Sequence, residues 1–285
     1  MNKRTHYKKE FGFNEKEIIG DCLLKNMLSE IELERYSRQI KELGVEKQEE
    51  LKDKAVLQIG AGGLGSPLAL YLAAAGIGHL KIIDYDNVSL SNLNRQILYK
   101  TDDVDKQKHS IVKKKLKAFN PEIKITTINA KVNYENFPLA IEDVDYLVDA
   151  SDNLFTKFLV NDMALTYNVP CTIAGVQSME GQIMSINPHK SACYRCVFGD
   201  TDANDKDHEQ KQIDTMEKQK RKDFLGILGF TCGVVGSLEA AEVVKGLIDT
   251  GNRLLDTLLM IDLSEMKFAR ISLSRDDTCK CSDIN

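Results

Sequence analysis

Short apolar runs alternate with longer segments of helical periodicity along most of the chain. Helical patterns cover 65–76, 106–119 and 153–167, each between two predicted strands. The second pattern ends before Asn120-Pro121, as a helix should. Alternation of this kind predicts a parallel sheet covered by helices on both faces. The predicted strands lie at 55–60, 79–84, 124–129, 145–149, 169–174 and 182–187.

The C-terminal part follows a different pattern. A helix predicted at 233–249 precedes strands at 257–263 and 267–273, and the short turn Ser264-Glu265-Met266 between these strands indicates an antiparallel pair. The predicted fold class is therefore α/β: a Rossmann-like, mostly parallel sheet with helices on both faces and a C-terminal antiparallel extension.

Two segments lie outside this pattern. Residues 1–30 carry mixed charge and form an N-terminal extension of unknown role, so that 31–285 is predicted to be a single domain. Residues 199–223 run from acidic to basic with almost no apolar anchor, which predicts a mobile surface loop.

A glycine-rich turn joins the first predicted strand to the first predicted helix. Its glycines are Gly60, Gly62, Gly63 and Gly65, and an acidic residue, Asp84, ends the next strand. Such a turn lets backbone N–H groups and the helix N-terminus approach a phosphate, while the acidic residue binds a ribose hydroxyl. A purely structural turn is the alternative, but the combination favours a nucleotide.

The segment after Asp84 bears on which nucleotide binds. Ser91 to Gln96 forms a second polar cluster containing Arg95. A nicotinamide cofactor has no need of it, whereas an arginine guanidinium can neutralise and orient the phosphate oxygens of a nucleoside triphosphate. Arg95 therefore favours ATP over NAD.

The seven cysteines include two close pairs, Cys193 with Cys196 and Cys279 with Cys281. Together they could form a four-thiolate zinc site. The alternative is two clusters of thiols without metal.

Composition narrows the class of protein. The chain has 285 residues, 42% of them hydrophobic, and its net charge of −5 argues against a nucleic-acid surface. It has no apolar stretch of 18 residues, and its basic start lacks the apolar run of a secretion signal. We therefore expect a cytoplasmic protein without a membrane or nucleic-acid partner.

Several motifs, taken together and in this order, resemble those of the MoeB/ThiF/HesA family over roughly residues 31–285. They are Arg35 to Ile40, Gly60 to Gly65, Asp84-x-Asp86, Ser91 to Gln96, Lys108, Ser151-Asp152-Asn153, Met179 to Gln182, Cys193-x-x-Cys196 and Gly236 to Ala240. The resemblance implies an ATP-dependent adenylyltransferase that activates ubiquitin-like sulfur-carrier proteins. It also implies that 199–223 is a crossover loop lying over the carrier tail.

The resemblance assigns roles to individual residues. Arg95 and Lys108 would contact the triphosphate, Asp152 would hold Mg²⁺, and Arg38 would reach the triphosphate from the neighbouring subunit of a homodimer. By itself, Asp152 could equally be the N-cap of the helix that follows it. The remaining nucleotide contacts are Asp84, Asp86, Asn92, Gln96 and Asn153. The family usually spaces its second cysteine pair Cys-x-x-Cys, so the single residue between Cys279 and Cys281 makes Cys281 the zinc ligand that most needs testing.

The other cysteines bear on whether the enzyme forms a thioester. A nucleophilic cysteine should lie on the mobile loop, and 199–223 contains none. Cys232 and Cys171 occupy apolar patterns and are predicted to be packed thiols. We therefore predict adenylation without an enzyme thioester.

Three functions remain open. The first is adenylation of a sulfur carrier that ends in Gly-Gly. The second keeps this chemistry but acts on the C-terminus of a short peptide, as in antibiotic maturation. The third, an NAD-dependent oxidoreductase, leaves Lys108, Arg38 and the cysteine pairs unexplained.

Overall fold

The computed structural model describes residues 27–199, 226–279 and 281. The eight strands of its sheet are β1 (Ala55–Ile59), β2 (His79–Ile83), β3 (Lys124–Ile128), β4 (Tyr146–Asp149), β5 (Cys171–Gln177), β6 (Glu180–Ile186), β7 (Thr257–Asp262) and β8 (Lys267–Ser272). The helices are α1 (Glu30–Arg35), α2 (Ser37–Leu43), α3 (Val45–Asp53), α4 (Gly65–Ala75), α5 (Lys108–Phe119), α6 (Phe137–Ile141), α7 (Leu154–Tyr167), α8 (Tyr194–Phe198) and α9 (Gly229–Leu247).

The sheet has a parallel half and an antiparallel half, in the order β3-β2-β1-β4-β5-β6-β7-β8. Strands β1 to β5 are parallel, and Ile59 pairs with both Ile83 and Asp149. The carboxyl ends of β1, β2 and β4 therefore meet at one edge, where open α/β sheets bind their ligands. The predicted α/β fold class is confirmed.

One strand runs in a direction that the pattern did not indicate. The apolar run at 182–187 follows the parallel series in sequence, yet β6 is antiparallel to β5. Only Ser178 and Met179 separate the two strands, and a parallel return needs a crossover of a dozen residues or more. The predicted antiparallel pair of β7 and β8 is confirmed.

Apolar side chains fill both faces of the sheet. One cluster includes Val56 and Val148 together with residues of α4, α5 and α9, and the other joins Leu57 and Cys171 to α6 and α7. Within the parts of the chain that the structure describes, no helix combines the length and apolar character needed to cross a membrane.

Helices α1 to α3 were not predicted, and they pack at the edge of the sheet opposite to the carboxyl ends of the parallel strands. Ser29 and Glu32 form a capping box that starts α1. Gln48 donates to the Ala75 carbonyl at 2.8 Å, and Asn120 donates to the Tyr36 hydroxyl at 2.8 Å. Most of the predicted N-terminal extension and nearly all of the predicted loop lie outside the described residues.

Candidate active site

The glycine loop between β1 and α4 is tightly packed. Gly60 has φ +94°, and a Cβ built on it would lie 2.8 Å from the Ala150 carbonyl oxygen. A Cβ on Gly65 would lie 2.3 Å from the carbonyl oxygen of Gly60. Both positions therefore require glycine.

Gln58, in the centre of β1, holds the two ends of this loop. Its Nε2 donates to the carbonyl oxygens of Gly60 at 2.8 Å and Gly65 at 3.0 Å. The side chain is fully buried in an otherwise apolar strand. A lone glutamine in an apolar run was the available sequence signal, and our sequence reading missed it.

Asp84 links the end of β2 to the loop. Its two carboxylate oxygens accept hydrogen bonds from the backbone N–H groups of Ala61 at 2.8 Å and Asp86 at 2.9 Å. Burial raises the pKa of Asp84, while the nearby Lys108 ammonium and these two N–H groups oppose the rise. The predicted ribose partner thus lies directly beside the loop.

Lys108 is the first residue of α5, and its ammonium group is buried. Nζ lies 2.9 Å from Oδ2 of Asp86, and the two side chains are 4% and 50% exposed. The Lys108 backbone N–H also donates to the Asp86 carbonyl oxygen at 2.9 Å. The structure therefore places a fixed cation near Asp84, while its ion-pair partner Asp86 is half exposed to solvent.

The segment from Asn92 to Gln96 folds over the loop. Arg95 donates from Nη1 to the carbonyl oxygen of Ser91 at 2.9 Å, and its Cγ would lie 3.6 Å from a Cβ on Gly63. Gln96 is buried, and within the described part of the chain its Oε1 has no hydrogen-bond partner. A Cβ on Gly62 would lie 3.6 Å from Nε2 of Gln96, so both Arg95 and Gln96 lie beside the glycines.

Asn92 is engaged in the turn itself, because its Oδ1 accepts from the Ser89 backbone N–H at 3.1 Å. Tyr99, which our sequence reading missed, donates its hydroxyl proton to the Ala61 carbonyl oxygen at 2.8 Å. Burial and the nearby Asp84 raise the pKa of Tyr99. The tyrosine therefore remains a neutral donor that fixes the loop.

Ser151, Asp152 and Asn153 follow β4 at the same edge of the sheet. The N-cap of α7 is Asn153, whose Oδ1 accepts from the Thr156 backbone N–H at 2.9 Å. Asp152 is exposed and is not the cap. We predicted that Asn153 binds the nucleotide. In the structure, its side-chain oxygen accepts the hydrogen bond that caps α7.

A buried ion pair between Lys157 and Asp149 holds the backbone of the segment 151–153. Lys157 donates to Oδ2 of Asp149 at 2.6 Å and to the carbonyl oxygens of Ser151 at 3.0 Å and Ala174 at 2.5 Å. Burial opposes the charge on Lys157, but the Asp149 carboxylate outweighs it and raises the pKa of the lysine. The pair fixes the backbone just before Asp152.

Arg38 lies away from the other predicted site residues. It is exposed on α2, next to Tyr36, whose ring packs against Gly76 at the C-terminal end of α4. The glycine loop lies at the N-terminal end of this 11-residue helix, about 16 Å away along its axis. A single chain therefore does not bring Arg38 to the loop.

Two thiols outside the cysteine pairs are packed, as predicted. Cys171 is fully buried, and Cys232 is 1% exposed. A Cβ on Gly63 would lie 2.7 Å from the Cys232 sulfur. Burial raises the pKa of both thiols, and for Cys232 the charge of Arg95 opposes the rise.

The two cysteine pairs converge on one cluster. Their four sulfur atoms all lie within 4.8 Å of one another: Cys193 is 3.7 Å from Cys196 and 3.6 Å from Cys279, and Cys196 is 3.4 Å from Cys281. Tetrahedral zinc thiolates require sulfur atoms about 3.8 Å apart. The cluster could therefore hold a metal ion, and the short second pair still brings Cys281 into it.

The cluster is attached to the middle of α7. Asn161 accepts from the Tyr194 backbone N–H at 2.8 Å. Asp162 forms a two-pronged ion pair with Arg195, at 2.8 Å from Nε and 2.7 Å from Nη2. The cluster and the Asp152 segment thus lie along one helix.

The model of the ThiF family matches residues 36–282. The chain belongs to the ThiF family. This ThiF-family chain is 35% identical over 260 residues to the sulfur carrier protein adenylyltransferase of Thermus thermophilus, a match that covers 88% of this chain and 92% of the relative. The resemblance inferred from the motifs is confirmed, and the chain is an enzyme of the adenylyltransferase class.

Solved ThiF-like structures share the fold. Escherichia coli MccB crystallised with ATP has a TM-score of 0.75 and 26% identity, over 95% of this chain and 84% of that one. MccB in complex with N-formylated MccA also has a TM-score of 0.75 and 26% identity, over 98% of this chain and 80% of that one.

Proposed function

We propose that this enzyme transfers the adenylyl group of ATP to the C-terminal glycine carboxylate of a small ubiquitin-like sulfur-carrier protein that ends in Gly-Gly. The observation that carries the proposal is the buried ammonium group of Lys108, held by Asp86 beside the glycine loop. A fixed cation at this place suits a triphosphate whose pyrophosphate must leave. Similarity to a sulfur carrier protein adenylyltransferase supports the choice of substrate.

The reaction joins two anions. A carboxylate oxygen of the carrier attacks the α-phosphorus of ATP, the bond from that phosphorus to the bridging oxygen breaks, and pyrophosphate leaves with the electron pair. The site must therefore neutralise charge and align the reactants, and it needs no strong base. Backbone N–H groups of the glycine loop, the Lys108 ammonium and the Arg95 guanidinium supply these functions. Asp84 holds the ribose, and Asn92 and Gln96 complete the nucleotide contacts.

Asp152 is the residue that fits Mg²⁺. Its carboxylate is exposed at the carboxyl edge of the sheet and is not used as a helix cap. Carboxylate oxygen is a preferred ligand of this ion, which usually keeps several waters and binds substrate phosphates. When bound, Mg²⁺ would screen the phosphate charge that the attacking carboxylate has to approach.

Arg38 completes the site from a second subunit in this proposal. In its own chain it lies exposed at the opposite end of α4 from the loop. A homodimer related by two-fold symmetry could bring each Arg38 to the partner's triphosphate. The active unit is then the dimer.

Zinc at the four-cysteine cluster would be structural. All four ligands come from protein thiols, so no coordination position is left for a substrate. The ion would join α8 to residues 279–281 and contribute to stability.

The acyl adenylate would be the product, without an enzyme thioester. Cys171 and Cys232 are packed thiols of raised pKa, and the segment 200–225 contains no cysteine. A thiol must be accessible and partly ionised to attack an adenylate.

A peptide C-terminus is the second candidate substrate. The observation that favours it is the similarity of the fold to MccB solved in complex with N-formylated MccA. The chemistry at the α-phosphorus is the same for both substrates.

ATP–pyrophosphate exchange tests the proposal. We expect exchange that depends on a Gly-Gly carrier, that is lost in Asp152→Asn and Lys108→Met, and that is unchanged in the exposed control Glu135→Gln. If no carrier or peptide stimulates exchange, the proposal is wrong. If only peptides do so, the second candidate replaces the first.

A further inference from the structure

Two buried polar side chains near the glycine loop have hydrogen-bonding groups without a protein partner. They are Gln58, through Oε1, and Glu239, through both carboxyl oxygens. Both side chains are 0% exposed. Among the described residues, no N–H or O–H group donates a hydrogen bond to any of these three oxygens. Buried groups of this kind are costly unless a hydrogen bond satisfies them.

Gln58 and Glu239 lie on the same face of the sheet. Gln58 shares its face of β1 with Val56, which packs in the cluster formed by α4, α5 and α9. In register, Gln58 pairs with Val148 of β4. Helix α9 covers the same face of β4, because a Cβ on Gly246 would lie 2.4 Å from the ring of Tyr146. The two side chains therefore belong to one layer.

Both side chains also flank the same stretch of the loop. A Cβ on Gly236 of α9 would lie 2.5 Å from the Leu64 carbonyl oxygen, and Glu239 is one helical turn further along. On the other side, Nε2 of Gln58 is bonded to the carbonyl oxygen of Gly65. The backbone at Leu64 and Gly65 is thus close both to α9, one turn from Glu239, and to the side chain of Gln58.

Burial favours the protonated form of the Glu239 carboxyl group. Burial and then the Asp149 carboxylate raise its pKa well above the usual value, and Lys157 opposes the rise. The ammonium protons of Lys157 are directed to Asp149, Ser151 and Ala174. A neutral carboxylic acid is a hydrogen-bond donor, and the free Oε1 of Gln58 is an acceptor.

We propose that Glu239 is a positioning residue for the glycine loop, because its carboxyl group hydrogen-bonds to Oε1 of Gln58, directly or through one buried water. The bond orients the amide of Gln58, whose nitrogen then holds the carbonyl oxygens of Gly60 and Gly65. Helix α9 is thereby fastened to the phosphate-binding backbone. The role in ATP binding rests on the proposed function, whereas the bond itself does not.

Hydrogen–deuterium exchange of the loop peptide 60–66 in the nucleotide-free protein tests the bond. Glu239→Met keeps the bulk and removes the donor, so we expect it to speed exchange of this peptide about fivefold. Glu239→Gln keeps a donor of the same shape and should exchange like the wild type. Gln58→Met and the double variant Gln58→Met/Glu239→Met should exchange at equal rates, because the second change removes a bond already lost.

Equal exchange in Glu239→Met and wild type overturns the inference, as do additive effects in the double variant. Should Glu239→Met not fold, a crystal structure of Glu239→Gln decides instead. Its amide nitrogen must lie about 3 Å from Oε1 of Gln58 or share one water with it.

Calorimetric ATP binding separates this inference from the proposed function. The dissociation constant should rise about fivefold in Glu239→Met and stay within about twofold of the wild type in Glu239→Gln. If the wild type does not bind ATP, the proposed function fails, while the exchange result still decides the fate of the Glu239 bond. Wild-type binding that is unchanged in Glu239→Met contradicts the positioning role.

Discussion

Asn153 caps helix α7, and its neighbour Asp152 remains exposed. The cap bond runs from the Thr156 backbone N–H to Oδ1 of Asn153 at 2.9 Å. The sequence left Asp152 either as the cap or as a magnesium ligand. The structure assigns the cap to Asn153. Removal of the Asp152 carboxylate should therefore impair catalysis, whereas removal of the Asn153 side chain should impair stability.

Asp152→Asn should abolish catalysis without loss of stability. We expect carrier-dependent pyrophosphate exchange to fall at least about 100-fold, since an amide is a much poorer ligand for Mg²⁺ than the carboxylate proposed to hold it. The midpoint of urea unfolding should not move. Asn153→Ala is the matched control: it should lose about 1 kcal/mol of stability with the cap. Equal effects of both variants on stability would contradict the division of roles.

Lys108→Met should weaken ATP binding, and the size of this loss should depend on whether Asp86 keeps its negative charge. Removing the ammonium leaves the Asp86 carboxylate facing the triphosphate, so the loss should exceed that in the double variant Lys108→Met/Asp86→Asn. Titration calorimetry with ATP measures both affinities. A double variant as weak as the single one would show that Asp86 does not act through Lys108.

Mixing two inactive variants should restore activity if Arg38 acts across a dimer. Arg38→Ala and Asp152→Asn, refolded together in equal amounts, should recover about a quarter of wild-type exchange. Half of the dimers are then mixed, and each mixed dimer has one intact site. Arg35→Ala mixed with Asp152→Asn is the matched control and should keep about half of wild-type exchange, because Arg35 contacts the Phe119 carbonyl oxygen of its own chain. No recovery with Arg38→Ala would place the arginine outside the partner's site.

Cys281→Ser should release the metal from the four-cysteine cluster. The sulfur of Cys281 lies 3.4 Å from that of Cys196, and loss of one of four thiolates weakens zinc binding strongly. Elemental analysis should give one zinc per wild-type chain and none in the variant, with a lower melting temperature. Cys171→Ser, a buried cysteine outside the cluster, should retain its zinc. Full zinc content in Cys281→Ser would show that another ligand fills its place.

Glu239→Gln should make stability less dependent on pH. Because burial raises the pKa of Glu239 in the folded chain, the unfolded chain loses this proton first as the pH rises above about 4.5. Below that pH, the protonated Glu239 carboxyl group makes its full contribution to the stability of the wild type. This contribution then falls by about 1.4 kcal/mol per unit until the folded pKa is reached. Relative to the wild type, the variant should therefore be more stable in urea unfolding at pH 8 than at pH 5. The exposed control Glu135→Gln should show no such change.

The sequence predicted those parts of the structure that depend on local patterns. Strands β1 to β5, the glycine loop and the position of Asp84 follow from apolar periodicity and short motifs. The direction of β6 did not, because an apolar run of strand length has no intrinsic direction, and the two-residue connection at Ser178 and Met179 outweighs the series before it. Local spacing in the sequence also indicated the cysteine cluster, because the two members of each cysteine pair are only three and two positions apart.

The supporting side chains could not be predicted because they depend on tertiary contacts. Lys157 meets Asp149 only when α7 packs on β4, and Gln58 reaches Gly65 only through the turn of the loop. Tyr99 is similar, because its partner at Ala61 is 38 residues away. In sequence, Lys157 and Tyr99 are each one polar residue among many, whereas Gln58 stands out in an apolar run that gives no indication of its partners.

The four-cysteine cluster also constrains the order of events during synthesis. Its sulfur contacts join residues 86 and 85 positions apart: Cys193, just before α8, contacts Cys279, and Cys196, within α8, contacts Cys281. Closing so long a loop is entropically expensive until the sheet between its ends has formed. Until residues 279 and 281 have been synthesised, the nascent chain supplies only two of the four thiols of this cluster, those of Cys193 and Cys196. Binding of a metal ion at this cluster would therefore follow the formation of the sheet rather than precede it.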